Sequence, residues 1–119
     1  MALRLVDGQQ LCRYSNRLLG MGTAMAVAID SEVARVLQEV PQVEGVYVLH
    51  REGDLLRVFT VVNDEDDAAY REIYDRELDL AIKLAPVRFD FNVITRYGRP
   101  IEEFVGPHTP AWERPGIRG

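Results

Sequence analysis

Residues 45–62 read GVYVLH, REGD, LLRVFTVV. Two stretches rich in β-branched and aromatic side chains flank a short polar link. Glycine in that link supplies the positive φ a twisted hairpin needs. A β-hairpin is therefore predicted, with strands over 45–50 and 55–62. If Gly53-Asp54 form a two-residue loop, His50 faces Arg57 and Val48 faces Phe59. A loop longer by one residue changes that pairing.

The flanking segments read as helices. Ile29, Val33, Val36, Leu37 and Val40 recur at helical spacing, Asp30 or Ser31 supplies the N-cap, and Pro41 stops a helix over 31–40. The acidic run NDEDD at 63–67 complements the positive end of a second helix over 67–84, which halts before Pro86. Its apolar face carries Ala69, Tyr70, Ile73, Tyr74, Leu80, Ala81 and Leu84, and its wet face Arg71, Glu72, Asp75, Arg76, Asp79 and Lys83. Residues 87–95 alternate: Phe89, Phe91 and Val93 point one way, Arg88, Asp90 and Asn92 the other. The order α-β-β-α-β, with a possible extra strand at the start, predicts an α/β (α+β) domain. Two helices cover one face of a three- or four-stranded mixed sheet and leave an open polar face. Residues 1–29 form an arm, 30–97 the domain, and 98–119 an irregular tail with room for one helical turn at 101–104.

At 119 residues the chain is one domain's worth, and 47% apolar with 28% charged residues is a globular composition. No apolar run is long enough to span a bilayer, so no membrane partner is expected. Acids outnumber bases 19 to 14, densest over 63–86, which argues against nucleic acid as a partner, since phosphate binding needs clustered bases. The single cysteine, Cys12, excludes an internal disulfide and an all-cysteine metal site. Residues 18–29 (LLGMGTAMAVAI) are uncharged and follow Arg13 and Arg17. They read as a flexible arm behind a later start at Met21 or Met25, as a secretory signal cleaved after Ala26-Val27-Ala28, or, at 25–29, as a short strand. The arm reading places the protein in the cytoplasm.

Glu77 falls in the middle of the second helix's apolar face, one turn from Ile73, Tyr74, Leu80 and Ala81. A carboxylate there is paired, protonated or at the rim of the core. It is either a tuned acid–base group or an anchor for a partner's basic group, or else a structural carboxylate held by a tyrosine, an arginine or a backbone amide. Asp90 and Asn92, with Arg88 and with Arg57 from the hairpin, make a polar lane: a shallow site on the open sheet face, or simply its solvated side. His50 and His108 have no partner at ligand spacing, so neither a metal site nor a cofactor is expected. The NDEDD run lacks the oxygen spacing and glycine of a calcium loop. Ser15 and Ser31 lie in no nucleophile elbow, and Gly20-Met21-Gly22 is no phosphate loop. Trp112, with Phe104 and Ile117 near it, either docks onto another subunit or folds back onto its own core.

Residues 30–103, through GVYVLH, LLRVFTVV, the acidic helix, FDFNVI and Arg99-Pro100-Ile101-Glu102-Glu103, resemble a catalytically degenerate member of the small nucleotidyltransferase fold. Active members carry a Gly-Ser pair after the first strand and an Asp-x-Asp on the second. Here those positions read His50-Arg51 and Arg57-Val58-Phe59. Only Asp90 matches the later strand carboxylate, and one carboxylate does not hold two magnesium ions. The resemblance implies the fold and denies the activity. Separately, Pro41-Gln42-Val43-Glu44-Gly45-Val46 before the hairpin resembles the cytosolic dimerisation domain of cation-efflux transporters. That family's metal-binding histidines have no counterparts here, so the resemblance implies pairing of two sheets without metal sensing.

The functional expectation is a non-enzymatic module acting through protein association, as a homodimer or one half of a regulatory pair. The rival is a small acid–base enzyme or ligand binder built on Glu77, Asp90, Arg57 and His50, which requires one concave pocket to hold at least three of them. A third reading is a degenerate nucleotide-binding domain.

Overall fold

A computed structural model describes residues 28–51, 53 and 55–117 of the chain. The readings of residues 1–27, Cys12 included, lie outside the described residues. Ala28 and Ile29 are helical, not extended.

Helix α1 covers residues 28–37 and unwinds through a turn ahead of Pro41. Asp30 lies inside this helix, so neither Asp30 nor Ser31 is its N-cap; the Asp30 carboxylate meets the His50 ring instead, 3.0 Å away. Strands β1 (Val43–His50) and β2 (Leu55–Val62) follow. Helix α2 (Asp67–Lys83) starts on Asp66, whose carboxylate accepts the Ala69 N–H at 3.0 Å. This is an N-cap that satisfies one of the helix's four free donors. Strand β3 (Arg88–Thr95), the short helix α3 (Glu102–Val105) and strand β4 (Trp112–Glu113) complete the elements of the described residues.

The sheet is four-stranded and mixed, in the order β3-β2-β1-β4. β1 is antiparallel to both neighbours, and β2 runs parallel to β3. Parallel neighbours need a crossover, which α2 provides. Glu32 receives Lys83 at 2.5 Å and Glu39 receives Arg76, so α1 and α2 lie side by side in opposite directions. Both cover one face of the sheet, where Val33, Leu37, Val46, Val58, Ile73 and Leu80 form the main core.

The opposite face is not left open as expected. Tyr47 and Val61 are buried there under Ile101 and Val105, with Phe59, Ile94, Phe104 and Ile117 around them. The apolar members of this face need a cover, and the tail supplies it. The tail also supplies the fourth strand, which the sequence reading placed at the other end of the chain. The Ala111 N–H donates to Val46 O at 2.8 Å and the Arg114 N–H to Glu44 O at 2.9 Å. The Arg114 guanidinium then bonds the carbonyls of Val43, Gln38 and Val40 at 2.8, 3.2 and 3.3 Å. It lies 4.8 Å from the Trp112 ring centroid. Trp112 thus packs half-buried against its own core, and Phe104 packs on the second cluster beneath the Arg99 guanidinium. Of the two alternatives for these aromatics, the intramolecular one is realised.

The hairpin register is the main correction. Three residues, not two, separate Arg51 from Leu55, whose carbonyl accepts the Arg51 N–H at 3.0 Å. Gly53 provides the positive φ, +73°. His50 therefore faces Leu56, Leu49 faces Arg57 and Val48 faces Val58. An offset of one residue puts Arg57 on the sheet face opposite to His50, because side chains alternate along a strand.

Candidate functional site

The five polar candidates, Glu77, Asp90, Asn92, Arg57 and His50, divide among three places. Arg57 and Asp90 sit side by side on neighbouring strands and join through Nε and Oδ2 at 2.9 Å. The Asn92 amide donates to the Asp90 carbonyl at 3.1 Å. These three share the sheet face away from the helices, beside the part the tail covers. Arg57 neutralises Asp90 there, at side chains about two-fifths exposed. His50 is on the helix side, at the end of β1. Its partner Asp30 is pulled up by burial and down by the hydrogen bond to the imidazole, with burial the larger effect.

Glu77 is alone among the five. It is buried on α2 between Ile73 and Leu80, 8% exposed, and its Oε2 has no hydrogen-bond partner. Burial pushes its carboxyl up to about 7. The adjacent Arg76 does not relieve it: that guanidinium points to the α1 side, onto Glu39, Glu72 and the Val36 carbonyl. No three of the five line one cavity. A cleft of about 210 Å³ lies elsewhere, between Pro41, Asn63 and Arg114. Its polar groups are engaged in holding the chain: Asp66 caps α2, Asn63 Oδ1 accepts the Gly98 N–H at 2.7 Å, and Glu44 receives Arg96 at 2.6 Å. Among the described residues no group of three or more histidine, cysteine or acidic side chains gathers to hold a metal ion. Likewise, no helix of the described residues is long and apolar enough to cross a membrane.

The surface that stands out was not singled out in the sequence. Tyr74, Leu78 and Ile82 are 54%, 60% and 68% exposed. They follow one another four residues apart along α2, so they form one stripe. At about 100° per residue, Ala69, Ile73, Glu77 and Leu80 face the sheet, and Glu72, Arg76 and Lys83 face α1. Tyr74 then lies on the flank away from α1, with Leu78 and Ile82 continuing outward. The Tyr70 hydroxyl, on that same flank, bonds Thr95 Oγ1 at 2.6 Å, which fixes the flank above β3. Beneath it, Phe89 and Phe91 stack with centroids 4.9 Å apart and are only partly buried. β3 is also an edge strand: among the described residues, no strand pairs with its outer side. Tyr74 and the β3 edge thus lie together at a sheet margin, and Leu78 and Ile82 carry the apolar stripe from there onto the outer side of α2. Its signal in the sequence is the spacing of 74, 78 and 82, which gives α2 more apolar residues than a single core-facing stripe uses.

The chain matches no family model, no curated protein and no solved structure among known proteins.

Proposed function

We propose that the protein works by association with another polypeptide, through the margin formed by α2 and β3. The observation that carries this reading is the juxtaposition of an exposed Tyr74–Leu78–Ile82 stripe with an unpaired strand edge. An edge strand offers free N–H and C=O groups to another chain, and natural proteins usually blunt such edges with charge, proline or a cover. β3 holds two charged side chains, Arg88 at its start and Asp90, which pairs with Arg57, and no proline. Contiguous exposed apolar area of this kind marks interaction sites. The division of Glu77, His50 and the Arg57–Asp90 pair among three places favours association over acid–base chemistry, which needs its groups converging on one atom.

The test is a photo-crosslinking amino acid placed at Leu78 in cells that make the protein, with Glu103 as the control position. Efficient adducts at 78 and none at 103 are expected. Absence of any adduct at 74, 78 and 82 overturns the reading.

A further inference from the structure

Resting on that reading, we infer that residues 18–27 of the same chain lie across the Tyr74–Leu78–Ile82 stripe in the free protein, and that a partner reaches the stripe by displacing them. The place where the described chain begins carries the inference. Lys83 meets Glu32 at 2.5 Å and Arg76 meets Glu39, so going back along α1 moves forward along α2. Ala28 is one helical turn before Glu32, and therefore about 6 Å beyond Lys83, past the C-terminal end of α2. Ile82, the most exposed side chain of the stripe, is at that same end.

The stripe is not straight. Residues four apart on a helix advance by about 40° around its axis. With Ile73 toward the sheet and Lys83 toward α1, Ile82 points directly away from the sheet. Leu78 is turned about 40° from it toward β3, and Tyr74 about 80°. The apolar track thus crosses α2 obliquely, from its outer side beside the start of α1 to the flank above β3. A segment that leaves Ala28 and passes over α2 follows that track.

Length and composition agree. The path from Ala28 over the helix pair and along the stripe to Tyr74 is about 28 Å, given an ordinary spacing of helix axes and 1.5 Å per helical residue. Ten extended residues reach about 33 Å. Residues 18–27, LLGMGTAMAV, carry no charge and hold Leu18, Leu19, Met21, Met25 and Val27. In order along the track, Met25 comes nearest Ile82, and Leu18 and Leu19 nearest Tyr74. Bringing these side chains onto an exposed apolar track removes both surfaces from water. Charge fits as well. Residues 1–17 hold Arg4, Arg13 and Arg17 against Asp7. Past Tyr74 they come to the start of α2, where Asp64, Glu65 and Asp67 are exposed. Arg71 and Asp75, four residues apart beside the track, offset each other.

The test places the photo-crosslinking amino acid at Leu78 in the purified full chain, as an equal mixture of 15N-labelled and unlabelled protein. Attachment sites are mapped by digestion and mass spectrometry. Attachment within residues 18–27 of the same chain is expected from position 78 and not from position 103. The pair Leu19→Glu and Met21→Glu lies outside the described fold. It is expected to lower that attachment at least tenfold while retaining the circular dichroism of the fold. In cells, the same pair is expected to raise severalfold the yield of adducts between position 78 and another polypeptide. Attachment spread over the chain without preference for 18–27, attachment the pair leaves unchanged, or attachment between labelled and unlabelled chains overturns the inference. So does a chain isolated from cells that starts at Ile29, or an adduct yield in cells that the pair does not raise. If the purified chain shows no such attachment while position 78 still captures another polypeptide in cells, the inference falls and the association reading stands. If attachment to 18–27 holds and no other polypeptide is captured even by the substituted chain, the association reading falls, and with it the displacement.

Discussion

Glu77 is held on the sheet-facing side of α2 with one carboxylate oxygen unpartnered. Among the described residues two more buried side-chain polar atoms have no partner, Thr60 Oγ1 and Arg76 Nε. Of the three, only Glu77 changes charge near neutral pH. Its carboxyl titrates at about 7 in the fold against 4.5 in a free chain, so the folded state holds the proton more tightly than the unfolded one. Stability from this group is complete below pH 4.5. It declines as pH rises through 4.5, where the unfolded chain begins to ionise, and is lost above about 7, where the folded one follows. The upper limit of this loss is about 3 kcal/mol, lowered by solvent screening where water reaches the carboxyl. Glu32 acts in the opposite sense. Hydrogen bonds from Arg35 and then Lys83 hold its carboxyl down at about 2, so its contribution is lost only as pH falls from 4.5 toward 2. Urea melts between pH 5 and 8.5 therefore isolate Glu77, on the pH range set by the two carboxyls. Glu77→Gln, which keeps the shape without the charge, is expected to flatten the decline and to be the more stable protein at pH 8.5. A wild type whose stability is level across that range contradicts the buried, unpaired carboxyl.

The elements differ in how openly the sequence declares them. β2, α2 and β3 follow from alternation, from helical spacing and from Pro86, because their boundaries are set by local chemistry. The hairpin register does not, since two- and three-residue links both accommodate Gly53, and only tertiary packing chooses between them. That single residue decides whether Arg57 lies near His50 or on the other side of the sheet, and so whether a polar cluster exists. β4 is hidden for a related reason. Two residues of strand carry no periodicity, and the element is held by Arg114 rather than by its own pattern. The Arg114 guanidinium bonds three carbonyls where α1 unwinds into β1, and a cation at a helix C-terminus also matches the helix dipole. Arg114→Met keeps an unbranched apolar stem but removes the guanidinium from the Trp112 ring and leaves those carbonyls without their charged donor. A loss of about 1.5–3 kcal/mol is expected from hydrogen bonds of this kind. Faster amide exchange is expected at Ala111 and Arg114, which bond β1. Wild-type exchange in the variant would mean that the tail is held by its apolar contacts alone.

At the scale of the molecule, the two faces of the sheet are closed by different means, and the margin at β3 is closed by neither. The helices cover one face and the tail part of the other. Helical spacing made the first cover legible. The second was not, because an irregular segment rich in proline and glycine gives no periodic sign of where it docks. The apolar margin was half legible. Tyr74 reads as core on a helical wheel, but α2 sits at the sheet's edge, and among the described residues no further helix meets that flank. If residues 18–27 close it, the cover belongs to the same chain, and melting does not depend on concentration as it would for a second chain that binds only the native state. The cover then adds to stability through Leu78, since full burial of a leucine side chain is worth about 1.5–3 kcal/mol. Half of that, about 1 kcal/mol, corresponds to about 4 °C for a domain of this size. Calorimetry at two concentrations tenfold apart is expected to give one melting temperature for the wild type, and one about 4 °C lower for Leu78→Gln. Glutamine is nearly as good a helix former as leucine, so an uncovered stripe predicts no such drop. In a chain that already carries Leu19→Glu and Met21→Glu, Leu78→Gln is expected to cost little more, because the shared contact is lost only once. A wild-type melting temperature that rises with concentration would mean that a second chain closes the margin instead.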